Sequence, residues 1–209
     1  PLYFERDTKG VALPYLEAVA ITFIPDKQSE FMLFLQGKLD LLNSLDNSYK
    51  DELLTLEGKL PHKYKGKINI QKGPYLNTEY LGFYLDSPSP VIQSPLIREA
   101  INIGFDRQKM MVYLRNNIGF KGDRGFIPKG LAGHLKIPYL EYQPKRAAAL
   151  VKSFEKQTGL KAKISLATDP NYIDLCEYIQ RELQKIGVSI KVDVMPPATL
   201  KQARSQGKL

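Results

Sequence analysis

The sequence predicts a mixed α/β fold, and three observations predict it. A strand–helix–strand run occupies the last third, with apolar residues at helical spacing in Tyr172, Leu175, Cys176, Ile179 and Leu183, then at alternate positions in Val188, Ile190, Val192 and Val194. Two consecutive helices carry their own start signals, at Ser94-Pro95 and at Asp106. Near the beginning, Val19, Ile21 and Phe23 alternate with Ala18, Ala20 and Thr22, which reads as a strand.

Taken in order, residues 1–16 are rich in turn formers and aromatics. The strand over 18–23 stops at Pro25-Asp26. Asp26 is a good N-cap for a helix whose apolar face is Phe31, Phe34 and Leu35, and Gly37 fits its C-terminal exit. A short strand is expected over Lys38–Leu42 and a second helix over Ser48–Glu57. Beyond the Lys-rich loop, strands are expected around Ile68 and Ile70 and over Tyr80–Leu85. Asp86-Ser87-Pro88-Ser89-Pro90 then breaks regular structure, which places a subdomain boundary there and divides the chain into 1–85 and 86–209.

The following helices are better marked. Ser94 caps and Pro95 takes the first helical position, with Leu96, Ile97, Ala100 and Ile101 as the apolar face. Gly104 interrupts, and Asp106 caps the next helix, carrying Met110, Met111 and Leu114. Residues 117–143, punctuated by Gly119, Gly122, Gly125, Pro128, Gly130, Gly133 and Pro138, form a long irregular loop of the kind that often carries function. Pro144 opens a helix through Phe154 that Gly159 closes. Lys163–Ala167 is a strand, and Asp169 caps the helix that Pro170 begins. Gly187 ends that helix before the last strand, so the unit fits a βαβ crossover.

The chain has 209 residues, 43% hydrophobic and 25% charged, enough to bury a core and too apolar for disorder. Its net charge of +8 raises nucleic-acid binding as an alternative function. The basic residues are scattered, however, and the densest run, His62–Lys67, reads as a solvated loop. A single cysteine, Cys176, excludes an intrachain disulfide, and no apolar run approaches the ~20 residues of a membrane helix. The chain opens without Met and closes directly after a helix-like stretch, so it is expected to be a piece of a longer protein.

Catalytic chemistry has little to stand on. His62 and His134 sit in loops without spaced metal-ligand partners. Cys176 falls on an apolar helix face, where it reads as a small buried hydrophobe. The carboxylate pairs Glu5/Asp7 and Glu177/Glu182 read as solvated. Tyr75, Tyr80, Phe83 and Tyr84 cluster around Asn77 and Thr78, and two readings of this cluster remain open. One is core packing; the other is a cleft wall that recognises a polar, peptide-like ligand.

The order of several segments resembles the peptide/oligopeptide (dipeptide- and nickel-binding) family of ABC-transporter solute-binding proteins. These are Leu13–Asp26, Phe34–Asp40, Leu76–Tyr84, Pro144–Ala147 and Leu183–Ile190. Ser94–Arg107 is similar to the family's R-x-A-[IL]-x-x-[AG]-x-D-R helix pair, and Gly125-Phe-Ile-Pro-Lys-Gly130 to its G-x-[IL]-P-x-G loop. The resemblance implies a periplasmic-binding-protein-like fold, with 1–85 part of a first lobe, 86–209 most of a third, and a hinge near Leu81–Pro90. It implies capture of a short peptide or similar solute for a membrane permease, outside the cytoplasm of a bacterium, in the periplasm or as a surface-anchored lipoprotein. No enzymatic activity, cofactor, metal or nucleic acid is expected. The ligand-binding residues expected on this basis are Asn77, Tyr80, Tyr84, Thr168 and Asn171. Two departures from the family stand out: Tyr84 replaces a usual Asn, and the acidic residue that meets the peptide's amino terminus in relatives would fall beyond the helix at 197–206. For Arg98, Asp106 and Arg107 the expected roles are structural, as surface or interlobe hydrogen bonds and a helix cap.

Overall fold

The computed structural model describes residues 4–43, 45–73, 76–134 and 141–208. Tyr75, Pro138 and the two chain ends read above lie outside them. The backbone divides into two compact units, Pro1–Tyr49 and Lys50–Leu209.

The first unit begins with a tight reversal closed by an antiparallel bridge between Arg6 and Ala12. The Asp7 carboxylate organises it by accepting from the backbone N–H groups of Lys9 and Val11 and from the Tyr15 hydroxyl. Helix α1 spans Lys27–Leu35 and starts as expected, with Asp26 Oδ1 accepting from Ser29 N at 2.8 Å. Its exit is a Schellman turn. Gly37 adopts φ +70°, Lys38 N reaches Leu33 O, and Gly37 N reaches Phe34 O. Phe31 is buried and stacks on Tyr49, with centroids 4.7 Å apart.

The strand expected over 18–23 is not formed. Val19, Ile21 and Phe23 are 71%, 76% and 90% exposed, and no described segment pairs with them. The alternation is present, but a strand exists only through its ladder. The strand expected over Lys38–Leu42 is absent as well.

The second unit opens with α2, the single turn Lys50–Leu53, preceded in sequence by a 3-10 turn at Asn47–Tyr49. The expected helix over Ser48–Glu57 stops there because Thr55 N turns back to Lys59 O, with Gly58 at φ +67°. A 3-10 turn at His62–Tyr64 is fixed by Lys63 Nζ and Tyr64 Oη, each 2.6 Å from Glu52 Oε1. The strands expected near Ile68–Ile70 and over Tyr80–Leu85 have no ladder. Period two is nevertheless kept at 80–84: Leu81 and Phe83 pack against the core, while Tyr80 and Tyr84 face outward.

The remaining elements follow the expected order: α3 (Pro90–Gln93), α4 (Pro95–Ile103), α5 (Arg107–Arg115), α6 (Pro144–Thr158), β1 (Lys163–Thr168), α7 (Ile173–Gln184), β2 (Ser189–Val194) and α8 (Pro197–Ser205). Strands β1 and β2 pair in parallel, from Lys163↔Ser189 to Thr168↔Val194. The core lies between α4, α6, α7 and β2, where Ile97, Ile103, Val151, Phe154, Leu183 and Val188 are 2% exposed or less. Ser94 stands at the N-cap of α4, but its hydroxyl makes no cap bond, leaving Pro95 and the extended Ser94 backbone as the start signal. Asp169 caps a 3-10 turn, Pro170–Tyr172, so Tyr172 precedes α7 and does not belong to its face. Glu182, expected to be solvated, is 7% exposed and pairs with Lys185.

Two polar ties fix α5. Arg115 grips Asp174 of α7 with both terminal nitrogens, at 2.6 and 3.3 Å. Beyond its end, Asn116 at φ 46° is 1% exposed, and its amide donates to Asp51 Oδ1 and to the carbonyls of Leu54 and Thr55.

Candidate functional site

Segment 76–80 leaves the Lys-rich region and meets the loop at 126–131. Together Leu76, Asn77, Thr78, Tyr80, Phe126, Ile127, Pro128 and Leu131 line a pocket of about 320 Å³. The loop holds its shape by internal bonds: Leu131 N to Pro128 O, His134 N to Leu131 O, and a 2.7 Å contact between His134 Nδ1 and Ile127 O. Gly130 permits one of its turns. Its φ is +105°, which an L side chain adopts only with strain, and a Cβ there would lie 3.3 Å from Leu76 Cδ2. The two walls are joined by Thr78 Oγ1, which donates to Phe126 O at 2.8 Å. Tyr80 and Phe126 also meet edge to face, with centroids 4.9 Å apart at 66°.

Of the expected ligand residues, Asn77 and Tyr80 line this pocket and Tyr84, Thr168 and Asn171 do not. The Tyr84 hydroxyl packs on Gly207, past α8, where a Cβ would come within 2.6 Å of Oη. Thr168 ends β1 and is 5% exposed, its hydroxyl bonded to Asp169 O at 3.3 Å. Asn171 is exposed, and its backbone N–H is bound by Asp169 Oδ1. Next to it, Tyr172 Oη donates to Glu79 Oε1 at 3.3 Å, linking the carboxyl end of β1 to the pocket segment. Burial, and then Glu79, raises the Tyr172 phenol above its ordinary range. The Cys176 thiol is pushed up by burial, with the Thr168 hydroxyl acting in the opposite direction.

The family-motif residues bond within the second unit. Arg98 Nη1 donates to the carbonyls of Ile92 and Gln93 at the end of α3. Arg107 lies 4.3 Å from the Phe105 ring centroid and bonds Asn102 through its carbonyl and side chain, both at 2.6 Å. Asp106 caps α5 through Lys109 N at 3.0 Å, as expected. Among the described residues no three His, Cys, Asp or Glu side chains converge as a metal site would require. No described helix is long and apolar enough to cross a membrane.

Besides Leu76 and Thr78, which flank the expected Asn77, the pocket residues that sequence reading missed are the loop's Phe126, Ile127, Pro128 and Leu131. Their signal was present as three large apolar side chains inside a glycine- and proline-rich loop, where solvation alone would favour polar residues.

Fold and pocket define a mixed α/β protein with a small apolar pocket, and the comparisons give it a family. The chain belongs to the bacterial extracellular solute-binding proteins, family 5, whose model matches residues 2–209. It is 26% identical over 196 residues to a probable D,D-dipeptide-binding periplasmic protein of Escherichia coli K12, covering 93% of this chain and 36% of that protein. The periplasmic binding protein DppA of Helicobacter pylori, solved in complex with the peptide STSA, superposes with a TM-score of 0.69 at 20% identity, over 86% of this chain and 33% of that one. NikA of Brucella suis, solved in complex with Fe(III)-EDTA, also gives 0.69, at 17% identity, over 89% and 39%. The chain thus spans about a third of the length of these relatives. The fold is mixed α/β and periplasmic-binding-protein-like. Neither the family match nor the relatives support the nucleic-acid alternative.

Proposed function

We propose that the whole protein captures a short peptide or a similar small solute and delivers it to the membrane permease of an ABC transporter, without catalysis. The observation that carries this reading is the pocket between segment 76–80 and loop 126–131. It has apolar walls with a few polar groups at the edge, the usual composition of a small-molecule site. No side-chain hydrogen bond joins the exposed Asn77 amide to another described residue, so it is placed to meet a ligand's backbone groups. Two of the relatives named above carry peptide ligands in their descriptions, which favours a peptide over the metal chelate of the third.

Further parts of the reading rest on family membership. The protein works outside the cytoplasm of a bacterium, in the periplasm or anchored at the surface as a lipoprotein. Residues 1–85 belong to a first lobe and 86–209 to most of a third. Thr168 and Asn171 flank the carboxyl end of β1, the side on which open α/β sheets usually bind ligands. There Thr168 positions the turn and Asn171 offers a polar contact to the solute, while Tyr84, whose hydroxyl packs on Gly207, would contact it from a separate place. Mass spectrometry of solute released from the purified whole protein tests the reading. A recurrent peptide species supports it, and a bound nucleic acid or sugar contradicts it.

A further inference from the structure

The outward face of α6 is basic, and the stability of the helix does not call for it. Lys145, Ala149, Lys152 and Lys156 share one exposed face at helical spacing, opposite the buried Ala147, Val151 and Phe154. Lys145 stands in the first turn, which holds no carboxylate and where the helix dipole disfavours a cation. Lys152 and Lys156 form a like-charge pair at i, i+4, which weakens a helix slightly. The single carboxylate of α6, on Glu155, is taken by Lys161 at 2.9 Å. Among the described ion pairs none includes Lys145, Lys152 or Lys156. The face continues into a recess of about 470 Å³, rimmed by Lys152, Lys161 and Lys185 over a floor of Ala148, Val151 and Ile186. Lys161 and Lys185 pair there with carboxylates that lie deeper than their ammonium groups: the Glu155 and Glu182 side chains are 25% and 9% exposed, against 74% and 63% for the two lysines. The surface presented to solvent is therefore positive.

We infer that this face is an electrostatic docking surface for an anionic lipid bilayer. The inference goes beyond the solute reading and does not depend on it. Composition selects a lipid surface over a protein partner. Specific protein interfaces are enriched in aromatic residues and Arg and depleted in Lys, whereas the outward face of α6 and the rim of the recess carry lysines among small side chains and no aromatic anchor. Lysine ammonium groups attract an anionic bilayer without fixed partners, and their long stems let each reach a headgroup. Salt confines that attraction to cations within a Debye length of the lipid, so lysines gathered on one face act together while the rest of the +8 charge counts for little. No residue of this face lines the pocket between segment 76–80 and loop 126–131, so docking leaves that pocket free.

Cosedimentation of the whole protein with vesicles tests this, using phosphatidylcholine alone and phosphatidylcholine mixed with phosphatidylglycerol. Binding is expected to the mixed vesicles only, and it should weaken as salt is raised. The triple variant Lys145→Gln/Lys152→Gln/Lys156→Gln should lose about tenfold or more of that partitioning. Lys59→Gln/Lys65→Gln/Lys67→Gln removes the same charge from exposed positions elsewhere and should lose less than about threefold. Because the α6 lysines do not serve the helix, the first variant should unfold at the same temperature as the parent or a higher one. A markedly lower unfolding temperature would make these lysines structural and overturn the inference. So would equal partitioning onto the two kinds of vesicle, or equal losses in the two variants. Binding to polyglutamate with none to the mixed vesicles would also overturn it, and would assign the face to an acidic protein.

Discussion

Thr78 Oγ1 and the Phe126 carbonyl, 48 residues apart in sequence, are joined by a 2.8 Å hydrogen bond that ties the two walls of the pocket together. The bond is exposed, so its net worth lies within the usual range of about 0.5–1.5 kcal/mol. Its loss should be felt in loop position more than in global stability. Thr78→Val keeps the shape and removes the donor. In the whole protein it should weaken solute binding by roughly 2- to 10-fold with little change in unfolding midpoint, and Thr78→Ser should restore affinity. Calorimetry and thermal unfolding on the three proteins read both effects.

Asp106 offers the opposite separation. Its carboxylate caps α5 through Lys109 N and lies outside the pocket. Asp106→Ala should cost about 0.5–2 kcal/mol of stability and leave solute affinity unchanged. Urea unfolding measures the first effect and titration the second.

Gly104 is required by packing. A Cβ there would lie 2.5 Å from the Ala100 carbonyl oxygen, 2.6 Å from Ile186 Cδ1 and 2.7 Å from Leu183 Cδ2. Backbone cannot yield as a flexible side chain can, and Leu183 is fully buried. Gly104→Ala should therefore destabilise by about 1–3 kcal/mol despite the better helix propensity of alanine. Denaturant unfolding of the variant checks it.

Burial raises the Tyr178 phenol well above its ordinary value, with Glu182 and Asp106 adding to the shift, while its hydroxyl donates to the Asp106 carbonyl at 3.0 Å. In the unfolded chain the same phenol loses its proton near pH ~10. Below that pH both states are protonated, and Tyr178 gives no pH dependence. Above it the unfolded state holds fewer protons, so stability falls as pH rises. Tyr178→Phe should flatten this alkaline loss, leaving a residual slope from Tyr142 and Tyr172, which are also raised by burial. Unfolding midpoints measured between pH 8 and pH 11 on the two proteins (about two units and one unit around the ordinary phenol value) provide the comparison.

Legibility in the sequence followed how local each signal was. Asp26, Asp106, Pro95, Pro144 and Gly159 mark helix ends through bonds and backbone angles within a few residues, and each stands where expected. The β1–α7–β2 unit was equally readable, since both strands and their crossover lie within 32 consecutive residues, Lys163–Val194. Strand signals elsewhere were only half a specification. Ala18–Phe23 and Tyr80–Leu85 alternate correctly, yet no described segment completes a ladder with either. For the site, the aromatic and amide cluster at 77–84 was visible, but its partner wall was not. Phe126, Ile127 and Leu131 follow no period, and their meeting with Leu76 and Tyr80 depends on a loop closure across about fifty residues. Glu182 misled for a related reason: its burial comes from neighbours brought by the fold, and a charged residue on a helix carries no local mark of it.

The central claim is that solute is held at the pocket formed by segment 76–80 and loop 126–131. A crystal structure of the whole protein with its co-purified or titrated solute measures this directly. The account predicts an uncharged ligand group in van der Waals contact with Tyr80, Phe126 and Leu131, and a ligand backbone group within hydrogen-bond distance of the Asn77 amide. A solute bound elsewhere, with water filling this pocket, would contradict it.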